Sequence, residues 1–525
     1  MQNGRSASLM PNSGLKDLRE TIKKHYEKGA TDYWIKPLVK CREGQPVGRI
    51  SDGDTVIFCC RRGEREVQLM ETFVEKGFSS FPVKRFPNLR FLPLVEYHEK
   101  FADIEPVITP VRPSVTLAGI LSSKNVKQLA VTETEKQSHV TFFFNGRRSR
   151  LYGGQIAEII PSWRDFGSHP EMKSAEIGNS VVKAMDRYDF MIINFPAGDV
   201  IGHLEDMRLK ISAAEEVDKA LGKIFRQAMD LGRTLIITAD HGLMERGKNE
   251  DGSPSVSHTT AKVPFVLVNR KLENQKMELG EGTLADVAPT VLSLMGIERP
   301  EEMTGSSLIK VVPSSNGVVL VILDGWGEGA DDPSINPLKA ADTPNLDYLK
   351  SNFPFTRLIA SGEKVGLPIG RSGNSETGHL TIGAGRVIEQ DELRLMKAME
   401  VGLVDNPQIK AAIEGKALDG KVHVIGVLSE SSSHGNIHEL IAVCEAARLN
   451  GAGRIFVHLI LDGRSAPPRG AVDLLDKYES KLAGCEVVGA VGRGFALDRS
   501  RDYIEKTKLV YDSLVNGTGE CYFGL

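Results

Sequence analysis

The feature that most constrains this chain is a recurrence of short, nearly unbroken apolar runs bounded by turn residues. They are DTVIFCC (54–60), HVTFFF (139–144), YDFMIINF (188–195), RTLIITA (233–239), VPFVLV (263–268), GVVLVIL (317–323), KVHVIGVL (421–428) and GRIFVHLIL (453–461). A strand wetted on one face alternates apolar and polar side chains, whereas a run apolar throughout must be covered on both faces. Longer amphipathic segments lie between the runs, among them KISAAEEVDKALGKIFRQAMDLG (210–232) and NIHELIAVCEAARLNG (436–451). Strand and helix patterns in alternation predict an α/β architecture with largely parallel sheets. At roughly 100–200 residues per domain, 525 residues give room for two to four domains.

Composition narrows the function classes. A 41% hydrophobic and 26% charged chain is neither disordered, collagen-like nor a disulfide framework. Its 65 Lys and Arg against 69 Asp and Glu leave a net charge of −4, with no basic field for nucleic acid or an anionic membrane. Any bound anion must be held by a local cluster. The six cysteines (Cys41, Cys59, Cys60, Cys444, Cys485, Cys521) form no CxxC pair and read as reduced thiols of a cytoplasmic protein. No apolar run approaches the roughly 20 residues of a membrane span. The opening MQNGRSASLMPNSG lacks an apolar core and reads as a disordered tail, not a secretory signal. VVPSSNG (311–317) is the clearest linker.

Chemistry gathers where runs end. Asp199 and His203 follow one apolar run at i, i+4 spacing, Asp240 and His241 end a second at a glycine, and Asp324 ends a third before Gly325 and Gly327. His258 lies just before the run VPFVLV. Open α/β sheets place ligands beyond their strand ends, and aspartate with neutral imidazole suits Mn²⁺ or Zn²⁺. One strand-end aspartate is an ordinary turn or cap residue; three, with three histidines, form a metal-ligand pattern. Ser375, in GLPIGRSGNSETGHLTIGAGR (366–386), follows a glycine-rich turn. It lies in no GxSxG elbow, so metal coordination is the route that would lower its hydroxyl pKa. Arg62, Arg65, Arg464, Arg493 and Arg499 form an anion-binding set, since guanidinium pairs bidentately with carboxylate and phosphate. Lys136, ahead of the run HVTFFF, offers a further point charge.

These motifs resemble a known family. VVLVILDGWGEG, TPNLDYL and GLPIGRSGNSETGHLTIGAGRVIEQD resemble the start of the cofactor-independent (2,3-bisphosphoglycerate-independent) phosphoglycerate mutases, and FPAGDVIGH, ITADHG and HTTAKVP resemble their C-terminal part. The family belongs to the alkaline-phosphatase-like metalloenzymes. The order differs from the family's: MTGSSL (303–308), a C-terminal motif there, precedes LDGWG here, so the chain resembles a circular permutant. The resemblance implies an α/β/α metal lobe over 114–390 and a smaller α/β substrate-handling lobe built from 1–113 and 391–525. It implies two divalent ions, Mn²⁺ first and Mg²⁺, Zn²⁺ or Co²⁺ as alternatives. Asp199, His203 and His258 would hold one, and Asp240, His241, Asp324 and the Ser375 oxygen the other. Ser375 is the implied nucleophile. His434, Arg464, Arg493, Arg499, Arg62, Arg65 and Lys136 are the implied substrate ligands.

One departure bears on mechanism. The family's LDGRD reads LDGRS, putting Ser465 where a proton-handling aspartate is implied, and SDGGVHSH reads SESSSHGN around Glu430 and His434. A serine is no general base near neutral pH without help, which leaves Glu430, His434 or His438 as substitutes. The implied activity is interconversion of 3- and 2-phosphoglycerate through a phosphoserine, by a cytoplasmic monomer acting on a small phosphorylated carboxylate. The alternative is a metal-dependent phosphatase or phosphotransferase on another small phosphate ester.

Overall fold

In a computed structural model that describes residues 14–61, 63–275, 277–310, 315–414 and 421–523, the chain divides into two units. One is Met1–Pro110 with Arg394–Leu525, the other Val111–Leu393. Residues 1–13 of the expected tail, Arg62, and positions 311–314 of the expected linker lie outside the described residues, and Gly14 opens the helix Gly14–Glu27.

The strands, in chain order, are β1 (Leu38–Arg42), β2 (Gln45–Pro46), β3 (Thr55–Cys59), β4 (Arg90–Pro93), β5 (Gln128–Glu133), β6 (Gln155–Ile160), β7 (Phe190–Phe195) and β8 (Thr234–Thr238). They continue with β9 (Val263–Val268), β10 (Gly282–Thr283), β11 (Val318–Leu323), β12 (Phe355–Ile359), β13 (Lys421–Leu428), β14 (Arg454–Leu461), β15 (Glu486–Gly492) and β16 (Glu520–Phe523). Seven of the eight apolar runs thus contain a strand. In the continuous unit the sheet order is β10-β12-β9-β8-β11-β7-β5-β6. Strands β8, β11, β7, β5 and β6 run parallel, while β9 is antiparallel to both its neighbours. Every residue of β11 is buried, as an interior strand covered on both faces requires. In the divided unit the order is β16-β1-β15-β14-β13-β3-β4, with β3, β13, β14 and β15 parallel neighbours.

Two expectations are corrected. HVTFFF is not a strand: His139–Phe143 forms a wide helical turn in which Phe144 N bonds His139 O at 3.1 Å. A six-residue run with four apolar side chains fits either state, and here Val140 and Phe144 enter the core while Phe142 and Phe143 stay half-buried. Lys136 accordingly follows β5 instead of leading into a strand. Nor are all six cysteines reduced, because Cys41 and Cys521 form a disulfide with Cα atoms 5.5 Å apart. Separated by 480 positions, they meet because β1 and β16 pair in parallel, a juxtaposition no local spacing encodes. The other four cysteines stand outside any disulfide.

Thiol titration of the denatured protein is expected to count four thiols without reductant and six with it. Leu320→Ala, in the fully buried β11, is expected to cost about 2–5 kcal/mol in denaturant unfolding, from lost transfer energy plus a cavity.

Candidate functional site

The continuous unit collects its polar groups at one edge of its sheet. Strands β8, β11, β7 and β5 are adjacent and parallel, so their carboxyl ends lie side by side. Beyond those ends come Asp240 and His241, then Asp324, then Asp199 and His203, then Lys136. The helix Ser375–Ala384 brings Ser375 to the same place, capped by Asn374, whose side chain accepts from Thr377 N. Gly378 permits this approach: a Cβ there would stand 2.6 Å from the Asp240 Cβ. Ser375 thus sits in the first turn of a helix, where the dipole and free N–H groups favour negative charge.

Lys136 is buried at the centre of the group. Its Nζ donates to Asp199 Oδ2 at 2.6 Å, Asp324 Oδ1 at 3.0 Å and Ser375 Oγ at 2.6 Å. Ser375 Oγ is 3.1 Å from Asp324 Oδ1 and 3.0 Å from His241 Nε2. Burial works against the Lys136 charge, but Asp324, Asp199 and Asp240 outweigh it and raise its pKa. Burial works equally against Asp199 and Asp324, yet Lys136 and the histidines hold both carboxyls below their usual range. For His241, burial is outweighed by Asp240, Asp324 and Asp199, and the imidazole is pushed up to about 9.

The donor set fits divalent cations. Three aspartates against one lysine leave a net negative charge out of water, which is costly unless compensated. Asp199 Oδ1 and Asp240 Oδ2 are buried and accept no hydrogen bond. Around Asp199 Oδ1 stand the Nε2 atoms of His258 at 3.1 Å, His203 at 3.4 Å and His241 at 3.6 Å. His203 and His258 give their Nδ1 protons to Val256 O (2.8 Å) and Gly373 O (2.9 Å), which leaves Nε2 as the ligand nitrogen. Two convergent groups result, Asp199–His241–His258 and Asp240–His241–Asp324, so His241 belongs to both.

Sequence reasoning missed a supporting layer. Asn194 Nδ2, inside β7, donates to Asp324 Oδ2 at 2.7 Å and lies 3.1 Å from His379 Nε2, while Thr132 Oγ1 donates to Asn194 Oδ1 at 3.1 Å. His379 Nδ1 is 2.9 Å from Ser375 O and 3.2 Å from Asp240 Oδ2. The available signals were a polar residue within an apolar run and a histidine one helical turn after Ser375.

The divided unit builds a second polar edge by the same rule, at the ends of β3, β13, β14 and β15. Arg61 and Arg65 follow β3, Glu430 and His434 follow β13, Asp462, Arg464 and Ser465 follow β14, and Arg493 follows β15. Burial, then Arg499, Arg493 and Arg464, depress the Arg65 pKa, so these four guanidiniums share one field. Arg493 is buried and paired with Asp462. Ser465 is exposed, with Oγ 3.5 Å from Arg493 Nη1.

Residues 45–299 match the Metalloenzyme superfamily, and residues 397–523 match the family described as BPG-independent PGAM N-terminus. Similar curated proteins are the 2,3-bisphosphoglycerate-independent phosphoglycerate mutases of Moorella thermoacetica (37% identity over 55% of this chain), Akkermansia muciniphila (37% over 55%) and Clostridium acetobutylicum (38% over 54%). Each match covers 56% of the relative, so the chain spans about half the length of the relatives it matches.

A ligand imidazole must be neutral, so metal binding is expected to displace the His241 proton. Calorimetry in buffers of differing ionisation enthalpy is expected to find proton release at pH 7 that fades as pH passes about 9. The metal-free fold carries the matching linkage. The stabilisation from the raised His241 pKa is full below the unfolded value of about 6.5 and is lost as pH rises through about 9.

Proposed function

We propose that this chain is a member of the 2,3-bisphosphoglycerate-independent phosphoglycerate mutase family of metalloenzymes and interconverts 3-phosphoglycerate and 2-phosphoglycerate through a phosphoserine at Ser375. The observation that carries the reading is Ser375 Oγ, at a helix N-terminus and in contact with Lys136, His241 and Asp324 within a cluster of metal-type ligands. Asp199, His203 and His258 would hold one divalent ion and Asp240, His241, Asp324 and the Ser375 hydroxyl a second, Mn²⁺ being the identity we favour. Such ions, when bound, lower the serine hydroxyl pKa and draw charge from the phosphoryl oxygens.

The residues divide the rest of the work. Lys136 holds its proton and places a positive charge 2.6 Å from the nucleophilic oxygen, favouring the serine as alkoxide. Ser375 Oγ attacks phosphorus and the 3-oxygen of glycerate leaves. The glycerate turns, and its 2-hydroxyl takes the phosphoryl group back from Ser375. Arg65, Arg464, Arg493, Arg499 and His434 serve the carboxylate and hydroxyls, with Arg62 assigned to the same set from the sequence alone. The small phosphorylated carboxylate, a monomeric state and a cytoplasmic location are parts of this reading.

A permuted order is also part of it. A family described as an N-terminus matches at 397–523, after the metalloenzyme match, and β1 pairs with β16 in one sheet. Exposed Ser465 favours a second reading, a phosphatase that resolves the phosphoserine with water, because a serine there takes no proton.

With 3-phosphoglycerate, an enolase-coupled assay is expected to register 2-phosphoglycerate in excess over free phosphate; the reverse ratio selects the second reading. Intact-mass analysis is expected to find one added phosphoryl group on the parent protein and none on Ser375→Ala. Phosphorylation persisting in that variant would refute the assignment of the nucleophile.

A further inference from the structure

The proposed reaction moves a proton with each phosphoryl transfer, and the polar edge of the divided unit holds few groups free to move one. Asp462 is saturated: it pairs with Arg493 and accepts from Ser429 Oγ (3.1 Å), Ser465 N (3.0 Å) and Ala466 N (2.9 Å). Glu430 is held by Lys477 at 2.7 Å and by the Tyr478 hydroxyl, and those bonds keep its carboxyl below the usual range. His438 Nε2 is bonded to that same hydroxyl at 3.1 Å. His434 differs. Its Nδ1 lies 3.1 Å from Glu66 Oε1, and the two residues are 4% and 0% exposed. Among the described residues its Nε2 has no hydrogen-bond partner.

We propose that Glu66 and His434 form a proton-transfer dyad, with His434 Nε2 the catalytic acid and base for the hydroxyls of the bound glycerate and Glu66 its positioning residue. This rests on the mutase reading and deepens it. The physical case is tautomer control. A carboxylate accepting from Nδ1–H fixes the proton there, leaves the Nε2 lone pair open, and stabilises the imidazolium once Nε2 is protonated. Glu66 is itself fixed, since its Oε2 accepts from Arg65 N at 3.1 Å. The histidine backbone is pinned by Arg61 N to His434 O at 3.0 Å and by His434 N to Ser432 Oγ at 3.2 Å. Arg493 Nη1, 3.5 Å from both Ser432 Oγ and Ser465 Oγ, places the dyad beside the anion-binding set.

Protons and bonds balance. His434 as imidazolium gives its Nε2 proton to the 3-oxygen as the bond from that oxygen to phosphorus breaks and the bond from Ser375 to phosphorus forms. The neutral imidazole then takes the proton of the 2-hydroxyl as the new oxygen–phosphorus bond forms. The bond from phosphorus to Ser375 breaks, its electron pair staying on the serine oxygen. Each turnover gives one proton and recovers one.

The charged and titratable groups facing the dyad include Arg61 and Cys60 from the end of β3, Arg65 beside Glu66, Arg493 from the end of β15, Glu439 from the helix Ile437–Leu449, and the buried Tyr97, whose hydroxyl donates to Cys60 O at 2.7 Å. Arg61 pairs with Glu439 at 2.9 Å and Arg493 with Asp462, while burial raises the Cys60 thiol and keeps it neutral.

The test uses the full-length, Mn²⁺-loaded protein with 3-phosphoglycerate. Glu66→Gln keeps an acceptor for Nδ1–H but removes the charge. It is expected to lower kcat tenfold to a hundredfold, leave KM within about twofold, and move the alkaline limb of the pH–kcat profile to lower pH, because the proton-donating imidazolium loses its counter-charge. Glu66→Asp is expected to restore part of the rate. An unchanged kcat, or a loss of kcat with an unmoved limb, overturns the dyad. Imidazole nitrogen NMR on the parent protein, with His434 assigned by its disappearance in His434→Gln, reads the tautomer without any need for a folded Glu66 variant. Nδ1–H supports the proposal, and Nε2–H overturns it. A parent protein that makes no 2-phosphoglycerate brings down the mutase reading itself and the dyad with it, an outcome distinct from an active parent indifferent to Glu66.

Discussion

Three carboxylates held out of water at the ends of neighbouring parallel strands set the terms for the metal-ligand unit. Asp199, Asp240 and Asp324 repel one another, and the sheet gives them no room to part, because β7, β11 and β8 are locked in register. Lys136 meets part of that charge through bonds to Asp199 and Asp324. The remaining demand for positive charge draws the histidine rings inward, raises His241, and defines what the cluster can bind. The same need explains the layer behind it, where Asn194, Thr132 and His379 fix carboxylate and imidazole orientations that mutual repulsion would otherwise scatter.

The divided unit solves the complementary problem. Four guanidiniums share one field and repel as the aspartates do, and burial together with that repulsion lowers the Arg65 pKa. A buried counter-charge limits that cost, because Asp462 takes Arg493. Both units place their chemistry at the carboxyl ends of parallel strands, the place where loops are free to vary while the sheet beneath stays rigid.

Much of this was legible in the sequence. Nearly unbroken apolar runs specify strands covered on both faces, and seven of eight contain a strand, although β9 is antiparallel to both its neighbours. The metal-type ligands were legible for a related reason. A charged residue ending such a run has nowhere to go but the sheet edge. HVTFFF misled because a six-residue run with four apolar side chains satisfies a helical turn as readily as a strand, and only packing against the core chooses. Asn194 escaped notice because its role depends on a carboxylate 130 positions away.

The sequence by itself determined the α/β class and the placing of charged residues at strand ends, since these follow from local periodicity and from where charge can be buried. The tertiary structure decided the pairings between distant segments. Strand pairing brought Cys41 to Cys521, sheet order placed His241 in both ligand groups, and the meeting of a helix with a loop set Glu66 against His434. None of these is encoded in spacing. Each depends on which strands become neighbours, and that is fixed by how the whole apolar surface of a unit is covered at once.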